Sequence, residues 1–548
     1  MKNYIKLLFI LVVLLVTSCS EDFLQKDVLV NNTSNNFYDT DDNAMSGLYA
    51  LYNVLRGQET YGTNKWVLGS IASDIAEGGG EPGGADQPDK QKIDRMVQDP
   101  RNTIMEEYWY GWYAGIYRAN ILLQEVEGNG NLTPEVSDKI TGEAYLIRAL
   151  CYFELVMAFG GVPVITEILP VDELNIPRSS IASIFNLIES DLGDASDYLE
   201  PYRNEPKKQG RANYGTARAL LVKALVYESS YAEQSATIEI YSGCEDRWTD
   251  ARDIAEEIIT NEGTYGYALD PDFANIWRVE GELSSEHIFS VNCVSLAGYE
   301  SPRIGDGDPN DFETRLGIGQ IGCVYQTTRG YYRGTRAQTD FDNLGWGFNV
   351  PTDYLVDSYQ ENDPRIHSTV VTDGYKWKLT VDSDTVNLWT GWSPTGYAAA
   401  KYMQWPKEKG SGVIPHGGAL DIKVFRYADL LLLAAEANLK TGNTGRATQL
   451  VNWVVGRARE SGNSGTPADY ATVTMDDILQ ERMLELATEG HRFFDLVRTG
   501  KATEFLNGHY NNTIQTAIEF EQGKHELFPI PASEIIRTQN AITQNFGY

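Results

Sequence analysis

The sequence predicts a mostly α-helical protein in which tetratricopeptide-like helix pairs support a loop-rich, mixed region. Three observations predict it. Apolar residues recur at helical spacing in paired segments, at about residues 103–263 and again at 424–461. Between them, residues 286–420 hold no helical period over most of their length and are dense in glycine, aromatic and polar residues. Near the C-terminus, Asp476 to Lys501 reads as one long amphipathic helix.

The chain has 548 residues and a formal net charge of −32. No basic stripe is available to neutralise phosphates, which excludes nucleic acid as a partner. Hydrophobic residues make up 42% and charged residues 22%, a balance that suits a globular domain with a large core. Tyrosine and tryptophan are abundant, 32 and 11 residues. Each joins a flat apolar face to a hydrogen-bonding tip, which serves interfaces and sugar sites as well as cores.

Taken in order, residues 1–18 read as a secretory leader, with Lys2 and Lys6 ahead of an apolar run from Leu7 to Val16. Leu15 to Cys19 resembles a bacterial lipobox, so Cys19 is expected to carry the lipid anchor. Ser20-Glu21-Asp22 resembles an acidic export tag that sends lipoproteins to the outer face of the outer membrane. Residues 19–38 would then be anchor and tether, and 39–548 a single domain. Its first helix carries Ala44, Leu48, Leu51 and Leu55 on one face, with Asp39 to Asp42 at the positive end. From Ser73 to Asn102 the pattern breaks into a glycine- and proline-rich stretch, expected to be an irregular excursion.

Tyr108, Trp112, Ile116, Ala119, Leu123 and Val126 stripe the next helix, and Trp109, Tyr113 and Tyr117 make its neighbouring face apolar, so burial on two sides is expected. Ile140, Ala144, Ile147, Cys151, Leu155 and Ala158 stripe its partner, which stops at Gly160-Gly161 before Pro163. Ile184, Ile188, Leu192, Ala195 and Leu199 mark the next helix, and Ala217, Leu220, Ala224, Tyr227 and Tyr231 the one after. Trp248 to Glu262 opens a third pair, and Val424 to Gly442 with Thr444 to Ser461 makes a fourth, far along the chain. In the C-terminal helix, Leu479, Met483, Leu486, Gly490, Phe493 and Val497 fall on one face. Glu481, Arg482, Glu485, Glu489, Arg492, Asp495 and Arg498 are expected on a solvated face, paired Glu489–Arg492 and Asp495–Arg498. Asp476 suits the N-cap and Gly500 the position past the last turn.

ERMLELATEGHRFFDLVRTG resembles the C-terminal helix motif of the SusD/RagB family, and LFPIPASEI followed by ITQNFGY resembles that family's ending. KITGEAYLIRALCYFELVMAFGGVPVI, GRANYGTARALLVKALVYESS, VFRYADLLLLAAEANLKTGN and WGFNVPTDYLVDSYQENDPR are similar to further segments of it. The resemblance spans nearly the whole chain after the leader. It implies a non-catalytic surface lipoprotein that binds a nutrient, usually a glycan, and caps a SusC-type TonB-dependent outer-membrane transporter. A surface glycan-degrading enzyme and a protein-binding helical adaptor stay open as alternatives.

The residues themselves name no catalyst. HExxH, GxSxG, P-loop and GxGxxG patterns are absent, and no histidine pairs with a second histidine or a cysteine at ligand spacing. No cofactor is expected, and a calcium ion is left open. Cys151 reads as core, while a Cys293–Cys323 disulfide is permitted by export but not fixed by spacing. A sugar site needs aromatic faces for pyranose C–H groups and planar polar side chains for hydroxyls. The stretch TRGYYRGTR has neither period nor apolar neighbours, so the candidates are Tyr331 and Tyr332 with Arg329 and Arg333 beside them. Asp86 and Gln87 of the earlier excursion join them, and Trp389 and Trp392 come next. Trp346 falls in a framework-like segment and reads as structural.

Overall fold

The computed structural model describes residues 37–80, 86–207, 210–282, 284–293, 321–332, 341–342, 345–378, 385–403, 420–462, 465–513 and 515–548. Cys19 and Arg333 lie outside these residues.

The predicted stripes become the core. Helix α1 (Asp41–Arg56) starts at Thr40, whose hydroxyl accepts from the Asn43 amide at 3.4 Å, and it buries Ala44, Leu48, Leu51 and Leu55. Helices α3 (Thr103–Val126), α4 (Pro134–Phe159), α5 (Ile181–Leu199) and α6 (Tyr214–Gln234) bury every stripe residue named above. Only part of the second α3 face is covered: Trp109 is buried, Tyr113 half-buried and Tyr117 exposed. Helix α2 (Pro88–Asp94) and strand β1 (Ala76–Gly79) occupy the stretch expected to be irregular. Pro88 opens α2 because a first-turn residue needs no N–H partner.

α3 packs on α4, α4 on α5, α5 on α6, and α6 on α7 (Trp248–Thr260). Next in space is α8 (Tyr427–Lys440), although the whole loop-rich region separates it from α7 in sequence. α9 (Thr444–Gly462) follows on α8 and continues the array. The loop-rich region leaves and re-enters through one neck, where β2 (His287–Val291) pairs antiparallel with a strand at Ile422–Arg426. Between them lie the short strands β3 (Gly330–Tyr332), β4 (Phe341–Asp342), β5 (Phe348–Pro351), β6 (Lys376–Lys378) and β7 (Thr385–Trp389), and Ile422–Arg426 is β8. Cys151, Cys244, Cys293 and Cys323 are all free thiols, so no disulfide joins Cys293 to Cys323.

The long C-terminal helix is two helices. α10 (Met475–Glu485) ends before Leu486, and α11 (Arg492–Arg498) begins beyond Gly490. Thr488 at φ +64 and Gly490 at φ +85 reverse the chain between them. Gly490 is indeed packed tightly, for its amide donates to Ser70 Oγ at 2.9 Å and a Cβ on Gly69 would meet its carbonyl oxygen at 1.9 Å. Thr474, not Asp476, caps α10: its hydroxyl accepts from Asp477 N while Asp477 Oδ2 accepts from Thr474 N at 2.7 Å. Gly500 ends α11 at φ +69, as expected.

The charged face is buried, not solvated, and the reason is partners from distant segments. Glu485 accepts from Arg365, Arg426 and Arg457; Glu489 accepts from Arg426 and Lys401, the latter at 2.7 Å. Arg482 donates to Asp429 at 2.7 Å and Asp495 at 2.9 Å, and Arg498 to Asp495 at 2.9 Å and Glu436 at 2.8 Å. Asp495–Arg498 is the expected local pair, whereas Arg492 turns away from Glu489 to Asp74 at 2.7 Å. Charges enter a dry interior only when paired and hydrogen-bonded. Each of these meets that condition.

Candidate functional site

The site grows from the pairing of β1 with β5, in which Glu77 stands opposite Val350 and Gly79 opposite Phe348. Gly79 and Gly80 both take positive φ, and Gly80 N donates to Gly347 O at 2.8 Å. A Cβ on Gly80 would sit 2.7 Å from the Phe348 ring and 3.3 Å from Asp86 Oδ2, so glycine alone lets backbone, ring and carboxylate meet. Gln87, at φ 51, then turns the chain into α2.

Lys90 is the residue sequence reading missed. It is buried, with its ammonium 4.3 Å from the Tyr325 ring centre and 5.3 Å from that of Phe348. Its Nζ donates to Gln87 Oε1 at 3.2 Å. Burial pulls the ammonium down to about 8 against the opposing charges of Glu107 and Asp86, so it is cationic at neutral pH. The signal was Gln87-Pro88-Asp89-Lys90, a helix start inside a stretch read as irregular. Trp346 meets Tyr325 edge-to-face at 4.5 Å and is half-buried, in keeping with a framework role.

Arg329 comes to Asp86 from the far segment, Nη1 to Oδ2 at 3.8 Å. Two candidates distant in sequence are thereby brought together. β3 lies between β4 and β7, with Gly330 opposite Trp389, Tyr331 opposite Leu388 and Tyr332 opposite Asn387. Leu388 is buried and Asn387 exposed, so the two tyrosine positions stand at register points of opposite character. Trp389 is half-buried beside a small core of Val350, Val371, Leu388 and Trp392. Trp392 is taken into that core: it is 6% exposed, its ring lies where a Gly347 Cβ would be, and Nε1 donates to Trp389 O at 2.8 Å. No ring face of it is left for a ligand.

Beneath this floor two buried carboxyls pin the C-terminal segment to β1. Glu77 accepts from Asn512 N at 2.7 Å and Thr513 N at 2.8 Å. Asp94 accepts from Gly78 N and Asn511 Nδ2, both at 2.8 Å. Burial and the Glu77 charge push Asp94 up to about 8. Both are fully engaged with protein groups. Among the described residues no cluster of three His, Cys, Asp or Glu side chains is arranged to hold a metal. At its surface the site offers the Arg329 guanidinium, the Asp86 carboxylate, the Gln87 amide and half-buried Trp389, above a buried floor of Lys90, Tyr325 and Phe348.

Known proteins share this architecture. Residues 322–548 match the model described as the SusD family, and residues 25–225 match one described as starch-binding, associating with the outer membrane. A SusD-like protein of Formosa agariphila is 26% identical over 532 residues, covering 94% of this chain and 95% of its own. The starch-binding protein SusD of Bacteroides thetaiotaomicron is 22% identical over 462 residues, covering 79% of this chain and 76% of its own. A laminarin-binding SusD-like protein of known structure is 29% identical, with a TM-score of 0.73 over 92% of this chain and 99% of that one. The motifs quoted from the sequence and the helical array lead to one assignment: the chain belongs to the SusD/RagB family.

Proposed function

We propose that this protein binds a glycan at the outer membrane through Tyr331, Tyr332, Arg329, Asp86, Gln87 and Trp389, and hands it to a SusC-type TonB-dependent transporter. The observation that carries the reading is the meeting of Asp86 and Arg329 beside Lys90 and its aromatic floor. Relatives named for laminarin and starch binding support a saccharide ligand. Relatives named as glycan-binding proteins favour binding over hydrolysis, and Asp86 faces Arg329.

A glycan array that includes laminarin and starch oligosaccharides identifies the ligand, and calorimetric titration then tests the site. Trp389→Ala, or the double change Tyr331→Ala with Tyr332→Ala, is expected to weaken binding by about 1–3 kcal/mol, by analogy with base–aromatic stacking. Melting temperature should not move in the tyrosine variant. Unchanged affinity in both folded variants would place the site elsewhere. Release of shortened sugars by the purified protein would favour the enzyme reading, and absence of any saccharide ligand the adaptor.

Anchoring is proposed through Cys19, with the domain facing the exterior. No helix among the described residues is long and apolar enough to cross a membrane. Several acyl chains on one cysteine suffice for stable attachment, at about 0.8 kcal/mol per buried CH₂. The Cys19→Ala protein should therefore lose fatty-acid label and leave the membrane fraction. Label still entering it would refute the anchor.

A further inference from the structure

The turn that carries Asp86 and Gln87 needs support. Gln87 takes φ 51 and ψ 62, a left-handed conformation that a residue other than glycine keeps only where its surroundings impose it. Its carbonyl oxygen accepts from Lys90 N at 2.9 Å and Gln91 N at 3.2 Å, and its side-chain Oε1 accepts from Lys90 Nζ at 3.2 Å. The rest of α2 is fastened on two sides. Asp89 Oδ2 accepts from Thr103 N at 3.0 Å at the start of α3, and Gln91 Nε2 donates to Gly79 O at 3.0 Å on β1. Neither contact reaches the far segment that supplies Arg329.

Lys90 reaches it. The side chain runs inward, 2% exposed, and lays its ammonium over the Tyr325 and Phe348 rings, whose centres are 5.5 Å apart. Tyr325 stands four residues before Arg329, and Phe348 lies on β5. An ammonium out of water on a ring face makes a directional contact, stronger than at a wet surface. A hydrocarbon chain of equal length would fill the same space without that tie. The other titratable groups facing Lys90 are Glu107 of α3, Asp86 and the Tyr325 phenol, with Arg329 beyond Asp86.

We infer that Lys90 is a positioning residue for glycan binding: without touching the ligand, it ties the 86–87 turn to the Tyr325 and Phe348 rings, holding Gln87 left-handed and Asp86 opposite Arg329. Its use in binding rests on the glycan reading above. The tie itself does not, so either can fail alone.

Hydrogen exchange over residues 86–92, read by mass spectrometry on the purified protein, tests the tie, and calorimetric titration with laminarihexaose tests its use. Lys90→Met keeps the length and packs on rings but has no charge, whereas Lys90→Arg keeps the charge. At pH 7 the segment should exchange about tenfold faster in Lys90→Met than in wild type or Lys90→Arg, and Lys90→Met should bind laminarihexaose roughly threefold more weakly. Burial brings the Lys90 ammonium down to about 8. Going from pH 7 to pH 9 should therefore speed exchange, corrected for its intrinsic rate, in wild type but not in either variant. If Lys90→Met fails to fold, that comparison of wild type with Lys90→Arg decides. Unchanged exchange in Lys90→Met, a wild-type pH effect that Lys90→Arg retains and that thus belongs to Asp94, or faster exchange with full affinity would each overturn the inference. Failure of wild type to bind laminarihexaose would count against the glycan reading and leave exchange to decide the tie.

Discussion

Replacing Glu485 by alanine should cost about 3–5 kcal/mol of stability. Glu485 is fully buried at the end of α10 and accepts from three guanidiniums, Arg365, Arg426 and Arg457. Arg457 and Arg426 are shared with Glu286, and Arg365 with Asp363 and Glu481. Taking the central carboxylate away leaves three buried guanidiniums each short of a charged hydrogen-bond partner in a place water cannot reach, and the cost is that of three broken contacts rather than of one. A surface pair provides the contrast. Lys139 and Glu205 meet at 2.8 Å, but Glu205 is 43% exposed, so Glu205→Ala should cost no more than about 1 kcal/mol. Urea denaturation of both variants measures the difference. A Glu485→Ala protein within about 1 kcal/mol of wild type would show that the arginines are hydrated.

The part of the stability that Asp94 carries should decline toward alkaline pH. Burial alone would raise Glu485 and Asp429, but Arg457, Arg426 and Arg365 outweigh it at the first, and Lys223 and Arg482 at the second. Both carboxyls are held well below their ordinary range. Their contribution is whole above the unfolded-state pKa, about 4, and is lost as pH falls further. Asp94 acts in the opposite sense. Burial and the Glu77 charge raise it to about 8, so the folded protein binds a proton that the unfolded chain has released. Stability is therefore lost as pH rises from about 4 to about 8, at roughly 1.4 kcal/mol per pH unit for a single such group. Glu282, raised to about 7 by burial and Asp421, adds to the slope. Compared with wild type, Asp94→Asn should thus gain melting temperature from pH 5 to pH 8. A wild type that keeps the same margin over Asp94→Asn at both pH values would contradict this account.

Periodicity made the helical array legible, because each stripe, such as Ile140 to Ala158, reports a face that must be covered whatever covers it. It could not report what covers it. The charges of α10 and α11 have the spacing of a solvated face, and partners distant in sequence, Asp74, Arg365, Lys401, Arg426, Asp429, Glu436 and Arg457, make that face an interior one. Gly490 carried a usable warning, since a glycine amid strong helix formers marks a break as readily as a close approach. At the site, Asp86 and Arg329 were legible as polar residues without a core explanation, but their proximity was not, because more than two hundred residues separate them. Trp392 was not, because an aromatic in a loop-rich stretch looks alike whether it is a platform or a plug. Lys90 escaped for a related reason: the Tyr325 and Phe348 rings that cover its ammonium lie far along the chain, and nothing beside Lys90 in the sequence points to them.

The neck formed by β2 and β8 bears on how such a protein can change over generations. Because the region between Val291 and Ile422 begins and ends on paired strands, its two ends are fixed side by side whatever lies between. Lengthening a loop whose ends are already held costs only about 0.6 kcal/mol per doubling. New segments can therefore be inserted there, and old ones lost, while α7 and α8 stay in contact. Selection can rewrite the recognition surface there, provided Arg365, Lys401 and β5, which the scaffold itself holds, are kept.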